Sequence, residues 1–284
     1  MPFLLNCYKI ISITERSNET SMSQKEIYYL TIDDILNLPL MYQGVYPNTQ
    51  FHLYWTDDWS EDFYIESAYA GFISTCLNVS GSEILLPEIQ THYAVLDWNN
   101  LIINKKVKKI IESQAFINND YYVRINGNLE NTVDKISKYH KDNWLIDKYA
   151  ELLHRLTIYD DKKRDFNIVT VELCDSSDEV IAGEIGYVIG ATYTSLTGFC
   201  DKINKKHNNF GKLQLVLLAK TLQYHGYHFW NLGHPYMEYK VELGAKITPR
   251  LEFLKKWLSS RDQQPSKKLI SECRFDCQFY SELL

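Results

Sequence analysis

Two groups of lysines have the residue type and spacing to bind phosphate. One group lies in the segment LIINKKVKKIIES, where no acidic residue offsets the charge before Glu112, and the other lies just before and within a strongly apolar segment. The groups are Lys105, Lys106, Lys108 and Lys109, and Lys202, Lys205, Lys206 and Lys212 with His207. Clustered cations favour contact with a phosphate backbone. The alternative is a solvated helix face or loop.

The composition limits which phosphate-bearing molecules these lysines can bind. The chain has 284 residues, a formal net charge of −6 and a pI near 5.8. Since general nucleic-acid binders are usually basic, any RNA must bind at local patches. The hydrophobic share of 45% and charged share of 23% are those of an ordinary globular protein. No apolar run reaches the roughly 18 residues that span a membrane.

The cysteines predict no metal site and no disulfide framework. They are Cys7, Cys76, Cys174, Cys200, Cys273 and Cys277. Only the last two are close, and a zinc site needs four ligands at motif spacing. We expect free thiols in a reducing compartment, the cytoplasm, and no metal or bound cofactor. Residues 1–27 lack the layout of a signal peptide, so we expect a loosely ordered leader.

Residues 28–98 predict a small N-terminal α+β domain. The runs FHLYW, DFYIESAYAGFIS and HYAVLDW are dense in aromatic residues and predict short strands. Between the leader and these runs, LTIDDILNLPLMYQGVYP predicts a helix capped by Thr31 and ended or kinked at Pro39. A turn signal after Trp98 marks the end of this domain.

Residues 99–284 predict a second, larger α+β domain. Helical periodicity over 128–156 indicates two helices that separate near 140–143. Three strands follow, FNIVTVELCD, VIAGEIGYVIG and ATYTSLTGFC, with glycines that indicate a bulge or close backbone approach in the second. A helix ended by Gly226, a strand YHFWNLG and helices around 236–243 and 249–258 complete the order. This order predicts a mixed, mostly antiparallel sheet flanked by helices, as in the GNAT acyltransferase fold, but does not fix function.

Four stretches in the second half carry motifs of a known family. They are NWLIDKYAELLHRL, VTVELCDSSDEVIAGEIGYVIG, GKLQLVLLAKTLQYHGYHFWNLG and ELGAKITPRLEFL. In this order, over residues 142–254, they resemble the leucyl/phenylalanyl-tRNA–protein transferase family. Fainter similarity extends to MYQGVYP and YAVLDWNNLIINKKVKK, as in a divergent member.

The resemblance implies a reaction. A charged tRNA would donate Leu or Phe to the N-terminal α-amine of a protein, and since the ester is already activated, the protein must mainly position it and stabilise the oxyanion. The implied partners are aminoacyl-tRNA and an acceptor protein or peptide, with no membrane, and we expect a monomer. The implied amino-acid pocket is Trp144, Tyr193, Thr197 and Phe199. The implied tRNA contacts are Lys105, Lys106, Lys108, Lys109, Lys205, Lys206, Lys212 and Arg250.

The sequence departs from the family at its acidic site residues. The family's Glu-Ser-Met-Phe reads Leu-Thr-Gly-Phe here, and its Asp-x-Gln falls on Leu232-Gly233-His234 or one step earlier on Asn231. Asn231 can hydrogen-bond an amine, and His234 can act as a general base near pH 7. Glu184 can replace the missing acid. We therefore predict Asn231, His234 and Glu184 as catalytic residues.

Two other functions stay open at this stage. The lost acids favour a non-catalytic descendant that binds tRNA or a protein. An acyl-CoA-dependent N-acyltransferase would need a glycine-rich pyrophosphate loop before the long helix, where NKKHNNFGK offers a single glycine. Each candidate also has a structural interpretation: Trp144 and Tyr193 as core aromatics, His234 as a cap, and Glu184 as an ordinary exposed strand residue.

Overall fold

The chain folds into two units by its contacts. The computed structural model describes residues 10–16, 22–140, 144–145, 147–160 and 163–284, with side chains from Ile27 onward. The first unit is Met1–Thr91 with Trp144–Arg155, and the second is His92–Asn143 with Leu156–Leu284.

The first unit contains two small sheets and short helices. Its strands are β1 (Ile10–Arg16), β2 (Met22–Tyr29), β3 (Tyr54–Trp55), β4 (Ile73–Val79) and β5 (Ser82–Glu88). Its helical segments are α1 (Ile32–Leu36), α2 (Leu38–Leu40), a π-helical segment Met41–Val45 and α3 (Glu61–Tyr69). The strands β1, β2 and β3 form one sheet, and β4 pairs with β5 in the other.

Helix capping explains one confirmed and one wrong prediction in this unit. The hydroxyl of Thr31 accepts a hydrogen bond from the backbone N–H of Asp34, and this capping box begins α1 as predicted. The strand expected over DFYIESAYAGFIS is a helix instead. Ser60 caps α3 by accepting from the N–H of Phe63, and two acids in the first turn suit the helix dipole, after which the chain enters β4.

The second unit is built on one large sheet. Its strands are β6 (His92–Leu96), β7 (Tyr121–Ile125), β8 (Phe166–Asp175), β9 (Val180–Ile189), β10 (Thr192–Cys200), β11 (Phe229–Asn231), β12 (Lys246–Pro249) and β13 (Cys273–Asp276). The α-helices after β6 in the chain are α4 (Lys105–Ile111), α5 (Gln114–Ile117), α6 (Leu129–Tyr139), α7 (Asp147–Ile158), α8 (Phe210–Tyr224), α9 (Glu238–Glu242), α10 (Arg250–Ser260) and α11 (Cys277–Ser281).

The topology confirms the predicted fold class, α+β with a large, mostly antiparallel sheet flanked by helices. The strand order is β12-β6-β11-β10-β9-β8-β7-β13, and within it β10 and β11 run parallel while the other pairs run antiparallel. The helix α8 packs on one face, where it contributes to the main apolar core. The helices α6 and α10 pack on the other face.

The units divide the chain differently from the predicted boundaries at residues 27 and 98. The strand β6 pairs with β11 and β12, so HYAVLDW belongs to the large sheet. Part of α7, as far as Arg155, belongs to the first unit. The predicted leader contains β1 and most of β2. Period-2 alternation identifies a strand but not the strand that will pair with it, so the sequence placed β6 with its neighbours in the chain.

A buried ion pair joins β7 to β8. The carboxylate of Glu172 is fully buried and accepts from Arg124 Nε at 2.7 Å, from the Thr132 hydroxyl at 3.0 Å and from Asn131 Nδ2 at 3.4 Å. A Cβ at Gly127 would lie 2.6 Å from this carboxylate, so a glycine is needed there. Because both oxygens have partners, the pair is a structural one.

We predict that Arg124→Met lowers the free energy of unfolding by about 3–5 kcal/mol, because it leaves a buried carboxylate without its cation. Urea denaturation checks this. Arg274→Met is the matched control, since Arg274 lies opposite Arg124 on β13 and is more than half exposed. The control should cost less than about 1 kcal/mol. Equal losses in the two variants would contradict the structural role of the pair.

Candidate functional site

A β-bulge in β10 divides its side chains between the two faces of the sheet. Pairing with β9 is regular up to Ser195–Gly186 and resumes at Thr197–Ile185, which leaves Leu196 unpaired in the bulge. Without the bulge, Tyr193, Ser195 and Thr197 would share one face. With it, the first two lie on the α8 face and the third on the α6 face.

Glu184 is the centre of the α8 face. Its side chain is on β9, is only 4% exposed, and accepts hydrogen bonds from the hydroxyls of Tyr193 and Ser195, both at 2.8 Å to Oε1. Burial raises the pKa of Glu184 to about 6, and the two hydroxyls oppose that shift. A buried carboxyl with a raised pKa is characteristic of a functional site.

Two glycines make room for this carboxyl and its partners. A Cβ at Gly186 would lie 2.5 Å from the Tyr193 hydroxyl oxygen, so that hydroxyl can reach Glu184 only by passing over a glycine. Gly198 pairs directly with Glu184, and a Cβ there would lie 2.9 Å from the Cβ of Glu184. The glycine pattern noted in the sequence therefore reflects close approach around Glu184.

The parallel pairing of β10 with β11 is short and ends beside Ser195. The register pairs Thr192–Thr194 with Phe229–Asn231. After this point β10 continues to Cys200, whereas the residues that follow β11 hydrogen-bond to β6. Trp230 Nε1 donates to Ser195 Oγ at 2.8 Å across this junction. Ser195 is half-buried as a residue, whereas Glu184 and Trp230, the two hydrogen-bond partners of its hydroxyl, are buried.

A buried lysine faces this junction from α9. Lys240 is 5% exposed, and its ammonium donates to the carbonyl oxygens of Leu232 at 2.5 Å and His234 at 2.7 Å. Burial lowers the pKa of Lys240 to about 8, and the charge of Glu184 opposes that shift. The two groups therefore form an interacting pair of opposite charge with apparent pKa values on either side of neutrality.

Gln214 on α8 is a buried donor next to the same carboxyl. Its side chain is 3% exposed and close enough to Glu184 to lower the pKa of that carboxyl, but its Nε2 makes no hydrogen bond of ordinary geometry among the described residues. An unpaired buried donor costs about 1–3 kcal/mol. It marks a position where a ligand oxygen or a water molecule would be stabilised.

A shallow depression lies between α4, α8 and α9, and Leu215 and Tyr239 in its lining are the chain neighbours of Gln214 and Lys240. Its lining includes Asn104 and Val107 from α4, and Lys212, Tyr239 and Glu242. Asn104 caps α4 by accepting from two backbone N–H groups. The four lysines of α4 are exposed, and no acid accompanies them in that helix, so cationic surface adjoins the depression.

The structure separates the three predicted catalytic residues. Asn231 is buried, and its Nδ2 donates to Thr194 Oγ1 at 3.4 Å, on the opposite face of the sheet from Glu184. His234 contacts the Glu184 cluster through its backbone carbonyl, which accepts a hydrogen bond from Lys240. The centroid of its ring lies 4.9 Å from that of Tyr236. Glu184 is not the ordinary exposed residue of the alternative interpretation.

The predicted amino-acid pocket is also divided. Tyr193 binds Glu184 on the α8 face, whereas Phe199 stacks on Tyr139 of α6, with ring centroids 5.6 Å apart. Thr197 is half-buried just after the bulge. Trp144 belongs to the first unit, where its ring lies 4.8 Å from that of Tyr149. No single face of the sheet carries the four residues.

The predicted tRNA contacts differ in exposure. Lys105, Lys106, Lys108 and Lys109 on α4, and Lys205 and Lys206 on a 3₁₀ turn, are exposed. Lys212 forms an ion pair with Glu242, so its charge is already offset. Arg250 is only 1% exposed. It lies at the start of α10, and this burial does not suit a contact with phosphate, which must be reached from the surface.

Sequence reasoning missed Ser195, Gln214, Trp230 and Lys240. Ser195 and Trp230 belong to segments that the sequence identifies as strands, but nothing in their spacing indicates a shared hydrogen bond. Lys240 is one lysine in an amphipathic helix. A signal did exist for Glu184, since the glycines around it indicated close approach.

No protein-family model and no curated protein matches the sequence. Solved structures match at low identity. L-PGS from Bacillus licheniformis is 11% identical, with a TM-score of 0.40. The match covers 70% of this chain and 66% of the L-PGS chain, so this chain spans just under two thirds of that protein's length. The C-terminal DUF2156 domain of a lysylphosphatidylglycerol synthetase from Agrobacterium fabrum is 11% identical over 89% and 85%, with a TM-score of 0.41. FemX is 8% identical over 86% and 87%, with a TM-score of 0.40. Membership of the leucyl/phenylalanyl-tRNA–protein transferase family stays a prediction from the sequence motifs.

Two negative findings concern the described part of the chain. Within it, no group of three or more His, Cys, Asp or Glu side chains is placed to hold a metal ion. Over the same residues, no helix is long and apolar enough to cross a membrane.

We predict that Lys240→Met lowers the free energy of unfolding by about 1–3 kcal/mol at pH 7.5, because two carbonyls lose their donor and Glu184 loses a nearby positive charge. The loss should be smaller at pH 5, where a Glu184 carboxyl with a pKa of about 6 is neutral and needs no cation. Urea denaturation at the two pH values tests this. Lys246→Met, at an exposed position of β12, is the control. A pH-independent loss would show that Lys240 does not compensate the charge of Glu184.

Proposed function

We propose that this chain is an aminoacyltransferase that moves an amino acid from tRNA to the N-terminal α-amine of a protein or peptide. The observation that carries the proposal is the hydrogen bond from Ser195 to Glu184, which links a buried base to a half-buried hydroxyl beside the end of β11. The donor, with Leu or Phe as the amino acid, and the acceptor class rest on the sequence resemblance.

The cluster supplies the proton chemistry that such a transfer needs. An acceptor amine must lose a proton while it attacks the ester carbonyl, and a carboxylate with a pKa of about 6 is largely ionised at neutral pH and can take that proton. The Ser195 hydroxyl can relay the proton from the more exposed side. A base tuned close to the working pH is the arrangement that general-base catalysis favours.

Two groups can stabilise the negative charge that develops on the ester carbonyl oxygen. The buried Nε2 of Gln214 is a donor without a partner among the described residues. The Lys240 ammonium adds a positive charge in a region shielded from water. Donors that are held in place before the reaction cost no reorganisation when the charge forms.

The surface near the cluster suits a tRNA end. Lys105 and Lys106 are exposed in the first turn of α4, next to Asn104, which lines the depression. The net charge of −6 means that such a local patch, rather than the whole surface, would hold the phosphates. The helix α4 contains four lysines and no acidic residue, which favours this contact over a solvated helix face with balanced charge.

We predict that Glu184→Gln reduces transfer by about 10²–10⁴-fold, because the amide keeps the shape of the side chain but cannot accept a proton. The assay mixes protein with tRNA charged with labelled amino acids and with peptides presenting each N-terminal residue, and counts label in peptide. Glu179→Gln is the control, the same exchange at an exposed position that precedes β9.

Three results would contradict the proposal. Equal rates in Glu184→Gln and wild type would remove Glu184 from the reaction. Charged tRNA that binds but never transfers its amino acid would identify a binding module. Acyl transfer from acyl-CoA in place of tRNA would assign a different donor.

We predict a dependence on pH that follows Glu184. The acceptor amine itself titrates near pH 8, so the informative quantity is the ratio of wild-type to Glu184→Gln activity at each pH. This ratio should rise about tenfold per pH unit up to about pH 6 and then level, because only the ionised carboxylate is a base. A ratio that is constant from pH 5 to 8 would contradict the role of Glu184 as the base.

A further inference from the structure

We propose that Ser195 is a covalent nucleophile, whose Oγ accepts the aminoacyl group from the tRNA ester and then passes it to the acceptor amine. This inference rests on the proposed function and adds an intermediate to it. The transfer would then proceed in two steps, with free tRNA released before the acceptor reacts.

The surroundings of the Ser195 hydroxyl fit this role. Its Oγ donates to Glu184 Oε1 at 2.8 Å and accepts from Trp230 Nε1 at 2.8 Å. The donor and the acceptor are both buried, so they fix the rotamer and leave one lone pair of Oγ for attack. A hydroxyl within hydrogen-bond reach of a base, and oriented by a third group, is the arrangement of an activated nucleophile.

Exposure distinguishes Ser195 from Tyr193, whose hydroxyl donates to the same carboxylate oxygen. Tyr193 donates to Glu184 Oε1 at the same distance but is fully buried. Ser195 is half-buried, next to the bulge and to the end of the β10–β11 pairing. A substrate carbonyl can therefore approach Ser195, while Tyr193 can only hold the carboxylate in place.

The two steps balance without an oxidant, a reductant or a cofactor. In the first, Oγ bonds to the ester carbonyl carbon, the Ser195 proton passes to Glu184, the bond to the ribose oxygen breaks, and that oxygen takes the proton. In the second, the acceptor nitrogen bonds to the same carbon, its proton passes to Glu184, the bond to Oγ breaks, and Oγ recovers the proton. Gln214 Nε2, a buried donor beside Glu184, would donate to the carbonyl oxygen in both steps.

The trapping experiment omits the acceptor. Wild-type protein is mixed with tRNA carrying labelled Leu or Phe, quenched in acid, and examined by intact mass and peptide mapping. We expect one aminoacyl group per chain, mapped to Ser195 and released by hydroxylamine as an ester would be. Ser195→Ala should carry no label, and its transfer to peptides should fall by more than about 100-fold.

Tyr193→Phe is the matched control, because it also removes one hydroxyl from Glu184 Oε1 but leaves the nucleophile. It should still become labelled at Ser195, although more slowly, because Glu184 loses one of the hydroxyls that hold it in place. Ser195→Cys is a second test, since it should carry the label as a thioester. Label mapped in the wild-type protein decides the question even if Ser195→Ala fails to fold.

The outcomes separate this inference from the proposed function. Transfer to peptide with no label at Ser195, or transfer at the wild-type rate by folded Ser195→Ala, would overturn the intermediate and leave the aminoacyltransferase standing. Label at Ser195 without transfer to any peptide would support the nucleophile and overturn the proposed acceptor. Neither label nor transfer would overturn both.

Discussion

The second unit depends on the cost of burying one carboxyl group, that of Glu184, in the middle of a sheet. Removing a carboxylate from water is expensive unless hydrogen bonds and an opposite charge replace the solvent. The hydroxyls of Tyr193 and Ser195 supply the hydrogen bonds, and the ammonium of Lys240 supplies the opposite charge. Gly186 is required because the Tyr193 hydroxyl crosses its Cα. One desolvated group thus dictates residue types on three different elements.

The same unit contains a second buried carboxyl that shows what a purely structural solution looks like. Glu172 has a direct ion pair with Arg124 and further donors on its other oxygen. Glu184 instead lies next to an amide nitrogen, Gln214 Nε2, that has no partner in the described part of the chain. Incomplete satisfaction is costly in a core, so it is expected where a ligand completes the site. This contrast supports the proposal that Glu184, rather than Glu172, is the functional carboxyl.

Backbone irregularity in β10 decides which of its side chains lie on the same face as Glu184. The bulge at Leu196 turns Thr197 and Phe199 to the α6 face and leaves Ser195 as the last side chain of β10 before the bulge on the α8 face. The parallel pairing with β11 stops at the same level, so the strands diverge there. Bulges commonly re-aim side chains next to active sites in this way.

The sequence by itself determined the local structure: Thr31 begins α1, the positive φ of Gly226 follows the end of α8, and the three strands β8, β9 and β10 lie where their apolar runs predict them. These features depend on neighbours in the chain. Only the tertiary structure decided that Asn231 faces away from Glu184, that Arg250 is buried, and that Lys240 reaches the site. Those facts depend on strand order, a one-residue bulge and contacts between distant segments, and a one-residue change in register reverses the face on which every later side chain lies.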